Sequence, residues 1–371
     1  MKSEDQPFRF FDNREKYLLF VTTTSEKAVT AEHVGREFDW IKPKPPALKI
    51  FDAGVGNGMV LSRILCEMHC RFPSVPFFVV GKEISLEDTR LCLEKLADRF
   101  YEHPQMVVIL TNLYYAEAPW LEPAQKSARD QQLWWDVPLE GNTVHEFSKR
   151  ITQLDMQLQR GWQTKSSLKS GNPLYVKPSV MVLYRQDQAF ALASIIPGKG
   201  RYEGNYDLVV AAQPYRSRMS ADFKVEKVLA PLAKSLNVGG RMVVVQSTGH
   251  DPGMEIIRKL WPDEEPFVTP RHLLIKELQQ DLIWKRSILP LKALTMNGLY
   301  LPTTCTPCRM KSAAIPVHLH CWQPGTRLCT LHKSKMYGLM KCSNRAIICK
   351  RPKTFSNVTV VSGFKTSRLW W

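Results

Sequence analysis

The chain has 371 residues, 44% of them hydrophobic, and a formal charge of +16; that is enough material for a full α/β core with an insertion. It contains no apolar run of about 18 residues, which argues against a helical membrane span, and Met1-Lys2-Ser3-Glu4-Asp5-Gln6 lacks a secretory hydrophobic core. The charge is concentrated at one end: residues 1–283 balance 36 basic against 35 acidic side chains, whereas residues 284–371 hold 15 Lys or Arg and no acid.

Residues 1–45 read as a cap, with short helices at Glu15 to Thr23 and Ala31 to Phe38. Lys42-Pro43-Lys44-Pro45-Pro46 then forms a stiff lead-in. Leu48 to Asp52 is an apolar strand that runs into Ala53-Gly54-Val55-Gly56-Asn57-Gly58 and then a helix, Met59 to Cys70, with Val60, Ile64, Leu65 and Met68 on one side. A strand, a glycine loop and a helix point to a nucleotide-type ligand at the carboxyl edge of a doubly wound sheet. The glycines fall as G-x-G-x-G and not as the dinucleotide pattern G-x-G-x-x-G, and no Gly-Lys-Ser/Thr follows to make a P-loop. Asp52 puts a carboxylate beside the loop, where a pyrophosphate needs amide donors; a cationic ligand suits it better.

Val75 to Glu83 is a second apolar strand ending in an acid, 25 residues beyond Gly58. Ser85 with Asp88 opens a helix predicted over Leu86 to Phe100. A third strand, Met106 to Leu110, leads into Thr111-Asn112-Leu113-Tyr114-Tyr115. Residues 121–204 are far longer than an ordinary crossover. They read as an insertion with a helix at Thr143 to Arg160 and a hairpin of Ser179 to Arg185 with Ala189 to Ile196, either a lid over the substrate or a decoration. Asn205 to Tyr215 holds the fourth strand, Phe223 to Leu236 a helix, Asn237-Val238-Gly239-Gly240 a turn, and Arg241 to Gln246 the fifth strand.

With Asp52-Ala53-Gly54-Val55-Gly56-Asn57-Gly58 after an apolar strand, the chain resembles the class I S-adenosyl-L-methionine (SAM)-dependent methyltransferases, whose first motif has the form D-x-G-x-G-x-G. Tyr206-Asp207-Leu208-Val209-Val210-Ala211-Ala212 and Gly239-Gly240-Arg241-Met242-Val243-Val244-Val245 are similar to that family's fourth and fifth strands. The resemblance spans residues 46–120 and 203–283 and implies an α/β, Rossmann-like sheet with helices on both faces. It implies that Asp52, Ala53, Gly54, Gly56 and Gly58 surround the methionine half of the cofactor. Glu83 would take both ribose hydroxyls, Asn112 would lie near the adenine, and Gln213 would end the strand beneath the cofactor. Blandly, Asn112 caps its strand, and the glycines are a turn in some other α/β protein.

Gln213-Pro214-Tyr215 is similar in part to the amino-methylating (N/D)PPY loop, with Gln in first place and one proline missing. It makes Tyr215 a catalytic candidate. His250 and Asp251 follow the fifth strand as a base with its orienting acid, or else as a loop and helix cap. The implied activity is methyl transfer to a small-molecule acceptor in the cytoplasm. The competing reading is a non-catalytic or truncated protein of the same fold. Cys66, Cys70 and Cys92 fit free thiols in a reducing compartment.

The tail, residues 284–371, holds Cys305, Cys308, Cys321, Cys329, Cys342 and Cys349 with His318, His320 and His332. Three readings stand for it: a basic nucleic-acid-binding arm, a metal module around Cys305-Thr306-Pro307-Cys308, or a sequence translated out of frame. Asn357 to Val361 can form one strand there, although not the terminal hairpin that the resembled fold carries after its fifth strand. The neutral main body gives no pull toward nucleic acid, and no metal ligands are assigned.

Overall fold

The computed structural model describes residues 26–168, 173–215, 218–246, 258–259, 262, 269–284, 291–292 and 357–362. Two units partition the chain. Residues 28–299 with 354–365 form the unit described below; the other (1–27, 300–353, 366–371) lies outside the described residues apart from Glu26 and Lys27. The predicted helix at Glu15 to Thr23, the pair His250 and Asp251, and the tail's cysteines and histidines are likewise outside them.

In chain order the main strands are β1 (Leu48–Asp52), β2 (Phe77–Lys82), β3 (Met106–Thr111), β4 (Leu133–Leu139), β5 (Ser179–Arg185), β6 (Tyr206–Ala212), β7 (Leu236–Gln246), β8 (Leu291–Lys292) and β9 (Asn357–Ser362). They form one nine-stranded sheet of order β8-β9-β7-β6-β1-β2-β3-β5-β4. The strands from β8 to β3 run parallel; β5 is antiparallel to β3, and β4 is parallel to β5. The chain steps from β1 to β3 in one direction, then returns to place β6 on the far side of β1. That reversal is the topological switch point of a doubly wound, Rossmann-like sheet.

The helices are α1 (Glu26–Glu37), α2 (Met59–Arg71), α3 (Leu86–Glu94), α4 (Leu96–Glu102), α5 (Val144–Thr152), α6 (Asp155–Gly161), α7 (221–234) and α8 (Arg271–Trp284). They cover both faces. On one, Val225, Val228, Leu229 and Leu232 of α7 and Leu274 and Leu278 of α8 join Phe51, Phe78, Val80, Val107, Ile109 and Val209 in a single cluster. On the other, His103, just past α4, stacks on Phe77 at 3.7 Å. Burial on both faces explains why β1, β2, β3 and β6 are nearly unbroken apolar runs instead of alternating ones. No helix among the described residues is long and apolar enough to cross a membrane.

Several predicted elements take a different form. The helix expected over Leu86 to Phe100 divides into α3 and α4, and that over Thr143 to Arg160 into α5 and α6. The expected hairpin of Ser179 to Arg185 with Ala189 to Ile196 is absent: Gln186–Gln188 is a 3-10 turn, and Leu192 and Ile195 bury as turn residues. β5 is buried along nearly its whole length because it has sheet neighbours on both sides, β3 and β4. In α7, a π turn at Val225–Leu229 precedes Pro231, which has no N–H to return to the carbonyl four residues back. Asp207 anchors the start of β6, accepting from Lys49 N at 2.9 Å and Asn237 Nδ2 at 3.3 Å.

Gly58 begins α2 with φ +76, and a Cβ there would come within 2.7 Å of Cys92 Cα. Gly200 has a similar φ, +69, with nothing within 4 Å of its Cβ position. Gly58→Ala thus combines backbone strain with a clash, whereas Gly200→Ala has strain alone. Urea denaturation is expected to give a loss of about 1 kcal/mol for Gly200→Ala and about 2–4 kcal/mol for Gly58→Ala.

His103 gives a second expectation. Its Nε2 lies 3.0 Å from the Val75 carbonyl, which only accepts, so Nε2 carries the proton; Nδ1 then accepts from His69 Nδ1 at 3.0 Å. Protonating His103 makes its Nδ1 a donor, so the contact then survives only if His69 presents the other tautomer. Burial is the largest cause lowering its pKa to about 4, and the His69 neighbour adds to it. Between pH 6.5 and 4 the unfolded chain therefore binds the extra proton. Stability is complete above pH 6.5 and falls as the pH drops to 4, by on the order of 3 kcal/mol from this group. His33, also lowered to about 4, acts in the same direction. Chemical denaturation across that range is expected to show this loss, with a shallower slope in His103→Gln.

Candidate functional site

The site is built on the carboxyl ends of β1, β2, β3 and β6. Asp52 ends β1 almost fully buried, and its Oδ1 accepts from Gly54 N at 3.0 Å. Ala53 is buried, its N–H bonded to the Val210 carbonyl at 2.8 Å, which clamps the loop to β6. The backbone is left bare at Gly54: the nearest atom to a Cβ built there is the Ala212 carbonyl oxygen, at 3.9 Å. Gly56 turns with φ +52 and donates its N–H to Glu83 Oε2 at 2.9 Å.

Glu83 is the hub of this edge. Its Oε1 accepts from Ile84 N and Ser85 N, each at 2.8 Å, so three amides from two strand-to-helix junctions converge on one carboxylate. A carboxylate has about four acceptor positions, which leaves one, on Oε2. The oxygens that the sequence reading offers to two ribose hydroxyls are thus engaged by main-chain amides in this structure. Ser85 caps α3 as predicted, accepting from Asp88 N at 3.2 Å. Cys92 lies beneath the loop, against Gly58. Burial raises its thiol pKa most, Asp52 adds to the rise and Glu83 contributes, so both carboxylates act on the same buried atom.

Asn112 does not face an open cleft. It is fully buried, with Nδ2 donating to the Gly161 and Lys177 carbonyls at 2.9 Å each and Oδ1 accepting from Ser179 N at 2.8 Å. Both of its donors are engaged by carbonyls of the insertion. Trp162, also from the insertion, donates its indole N–H to the Glu83 carbonyl at 2.8 Å. The insertion is thus tied to the tips of both β2 and β3.

Across the switch point, Gln213 is exposed with φ +50, a left-handed conformation at the end of β6. The Pro214 carbonyl accepts from Tyr115 OH at 2.7 Å. Tyr215 donates its hydroxyl to Gln246 Oε1 at 2.9 Å, and burial raises its pKa. Lys224, almost wholly buried, sits with Nζ 5.1 Å from the Tyr215 ring centroid, and burial lowers its pKa to about 8.

Lys82, Tyr115, Trp162 and Lys224 were not singled out from the sequence. A charged residue at the end of an otherwise apolar strand was the available signal for Lys82; Trp162 had none.

No family model matches the chain, and no curated protein matches it. Among solved structures it is similar to the crystal structure of Streptomyces venezuelae DesVI, with 16% identity and a TM-score of 0.11, over 30% of this chain and 60% of that one. The chain thus spans less than two thirds of that protein's length, and at this TM-score the likeness carries no argument about fold or chemistry.

Asn112→Ala removes three buried hydrogen bonds, takes the side-chain partner from the Ser179 amide, and leaves the Gly161 and Lys177 carbonyls to share the Ser179 hydroxyl. Urea denaturation is expected to show a loss of about 2–4 kcal/mol.

Proposed function

We propose that this chain is a SAM-dependent methyltransferase acting on a small-molecule acceptor. One observation carries the reading: at the sheet's switch point, a bare glycine loop lies between two acids on the tips of adjacent parallel strands, Asp52 and Glu83. A dinucleotide pyrophosphate is poorly served there, because the loop is flanked by negative charge. A ligand with an ammonium, a sulfonium and a ribose fits the donor set better. Asp52 would accept from the ammonium, and the open backbone at Gly54 would admit the methionine chain. The one acceptor position left on Glu83 Oε2 would take a single ribose hydroxyl.

When bound, SAM supplies a methyl group already activated on a sulfonium, so little acid–base chemistry is asked of the protein. The chain's own task is alignment of the acceptor and exclusion of water. Tyr215, held by Gln246, gives the acceptor side a fixed wall. Where the acceptor carries a proton, His250 with Asp251, which follow β7 in the chain, are the groups this reading assigns to remove it.

Isothermal titration calorimetry with SAM and with its demethylated product tests the reading. Dissociation constants on the order of micromolar are expected. Asp52→Asn should weaken both by about tenfold or more, the scale of one charge-assisted hydrogen bond. A folded sample that shows no saturable binding of either would sink the proposal.

A further inference from the structure

Strand alternation sorts the charges at this edge. Phe78 and Val80 of β2 belong to the cluster on the α7–α8 side of the sheet, so Lys82 emerges on that side and Glu83 on the opposite one. In β1, Phe51 belongs to the same cluster and Asp52 again points the other way. One sheet edge therefore sends its two carboxylates to one face and the Lys82 ammonium to the other.

Lys82 is only 8% exposed. Among the described residues its Nζ has no carboxylate or carbonyl partner; it rests on the Tyr115 ring, 4.6 Å from the centroid. A ring face offsets only part of the cost of removing an ammonium from water. An anion arriving at the tip would supply the rest. The ring is held in place, since Tyr115 OH donates to the Pro214 carbonyl. The next residue, Tyr215, carries Lys224 over its own ring. Two lysines thus flank the loop after β6, each on a tyrosine face.

We propose that Lys82 anchors an oxyanion group of the methyl acceptor, a carboxylate or a phosphate, on the Tyr115 side of the sheet. The word acceptor rests on the methyltransferase reading; the anion site rests on Lys82 itself. The cofactor and the acceptor then meet at one edge from opposite faces, each drawn by charge of the opposite sign.

The test is calorimetric titration of the full chain with inorganic phosphate and, separately, with acetate, at constant ionic strength. The two probes distinguish a phosphate site from a carboxylate site. Saturable binding of at least one, on the order of millimolar, is expected. Lys82→Met, which keeps the apolar stem, should weaken it about tenfold or more, and Lys82→Arg should retain it within about threefold. SAM titrated into the same samples separates the two proposals. Wild-type protein that binds SAM but neither anion, or Lys82→Met protein that binds the anion as tightly as wild type, overturns the anion site alone. Anion binding lost in Lys82→Met without any SAM binding supports the anion site and removes the methyltransferase reading. Should Lys82→Met fail to fold, reductive methylation of wild-type lysines decides: phosphate or acetate should slow modification of Lys82, and an unchanged rate overturns the site.

Discussion

The Glu83 carboxylate is the constraint on which this edge of the molecule depends. Within Val55-Gly56-Asn57-Gly58 a turn bond from Gly58 N to the Val55 carbonyl and an Asn57 side-chain bond to Met59 N shape the turn, but its glycines make it costly to order. The Gly56 amide is fixed by Glu83 Oε2, while Oε1 takes the first two amides after β2. Hydrogen bonds to an ionised acceptor are among the stronger ones available, each worth about 1.5–3 kcal/mol. The Glu83 side chain, together with the main-chain bond from Val55 N to the Lys82 carbonyl at 3.1 Å, ties the β1 and β2 junctions, and Trp162, bonded to the Glu83 carbonyl, adds the insertion to the assembly. Preorganisation has a consequence for binding, because acceptor capacity spent on the loop is no longer available to a ligand.

What could be read from the chain follows from the range of the forces involved. β1, β2, β3 and β6 are short apolar runs ended by polar or glycine residues, and the Ser85 cap and the Thr143–Glu146 capping box are complete within four residues. Such signals are local and were legible. The span of β5 was legible as well, but its place in the sheet was not, because its partners are non-local: it lies between β3, some seventy positions earlier, and β4. A buried central strand and one arm of a hairpin look alike until the neighbours are known. The breaks within the two long predicted helices were equally hidden, since apolar periodicity continues across them.

The site divides along the same line. That an acid should stand at the tip of β2 was legible; that its oxygens would be filled by main-chain amides was not, since Gly56 is 27 positions away. Asn112 is the sharper case. An Asn after a strand reads equally as a ligand contact or a cap, and the decision lies with Gly161, Lys177 and Ser179, 49 to 67 positions further on. Lys82 escaped notice because a strand's last residue is counted with the strand, although alternation sends it to the opposite face from the acid beside it.

The insertion makes the two sides of the switch point unequal. On the β2–β3 side, Asn112 and Trp162 fasten backbone to backbone, and the polar groups there are largely consumed. On the β6–β7 side, the chain turns through Gln213 at φ +50, a conformation costing a non-glycine residue roughly 1–2 kcal/mol. That strain persists because the neighbours determine it: Gln213 N is held by the Val245 carbonyl at 2.7 Å and the Pro214 carbonyl by Tyr115. The β2–β3 side is fastened by side chains bonded to and from the insertion, and the β6–β7 side by main-chain bonds around one strained residue.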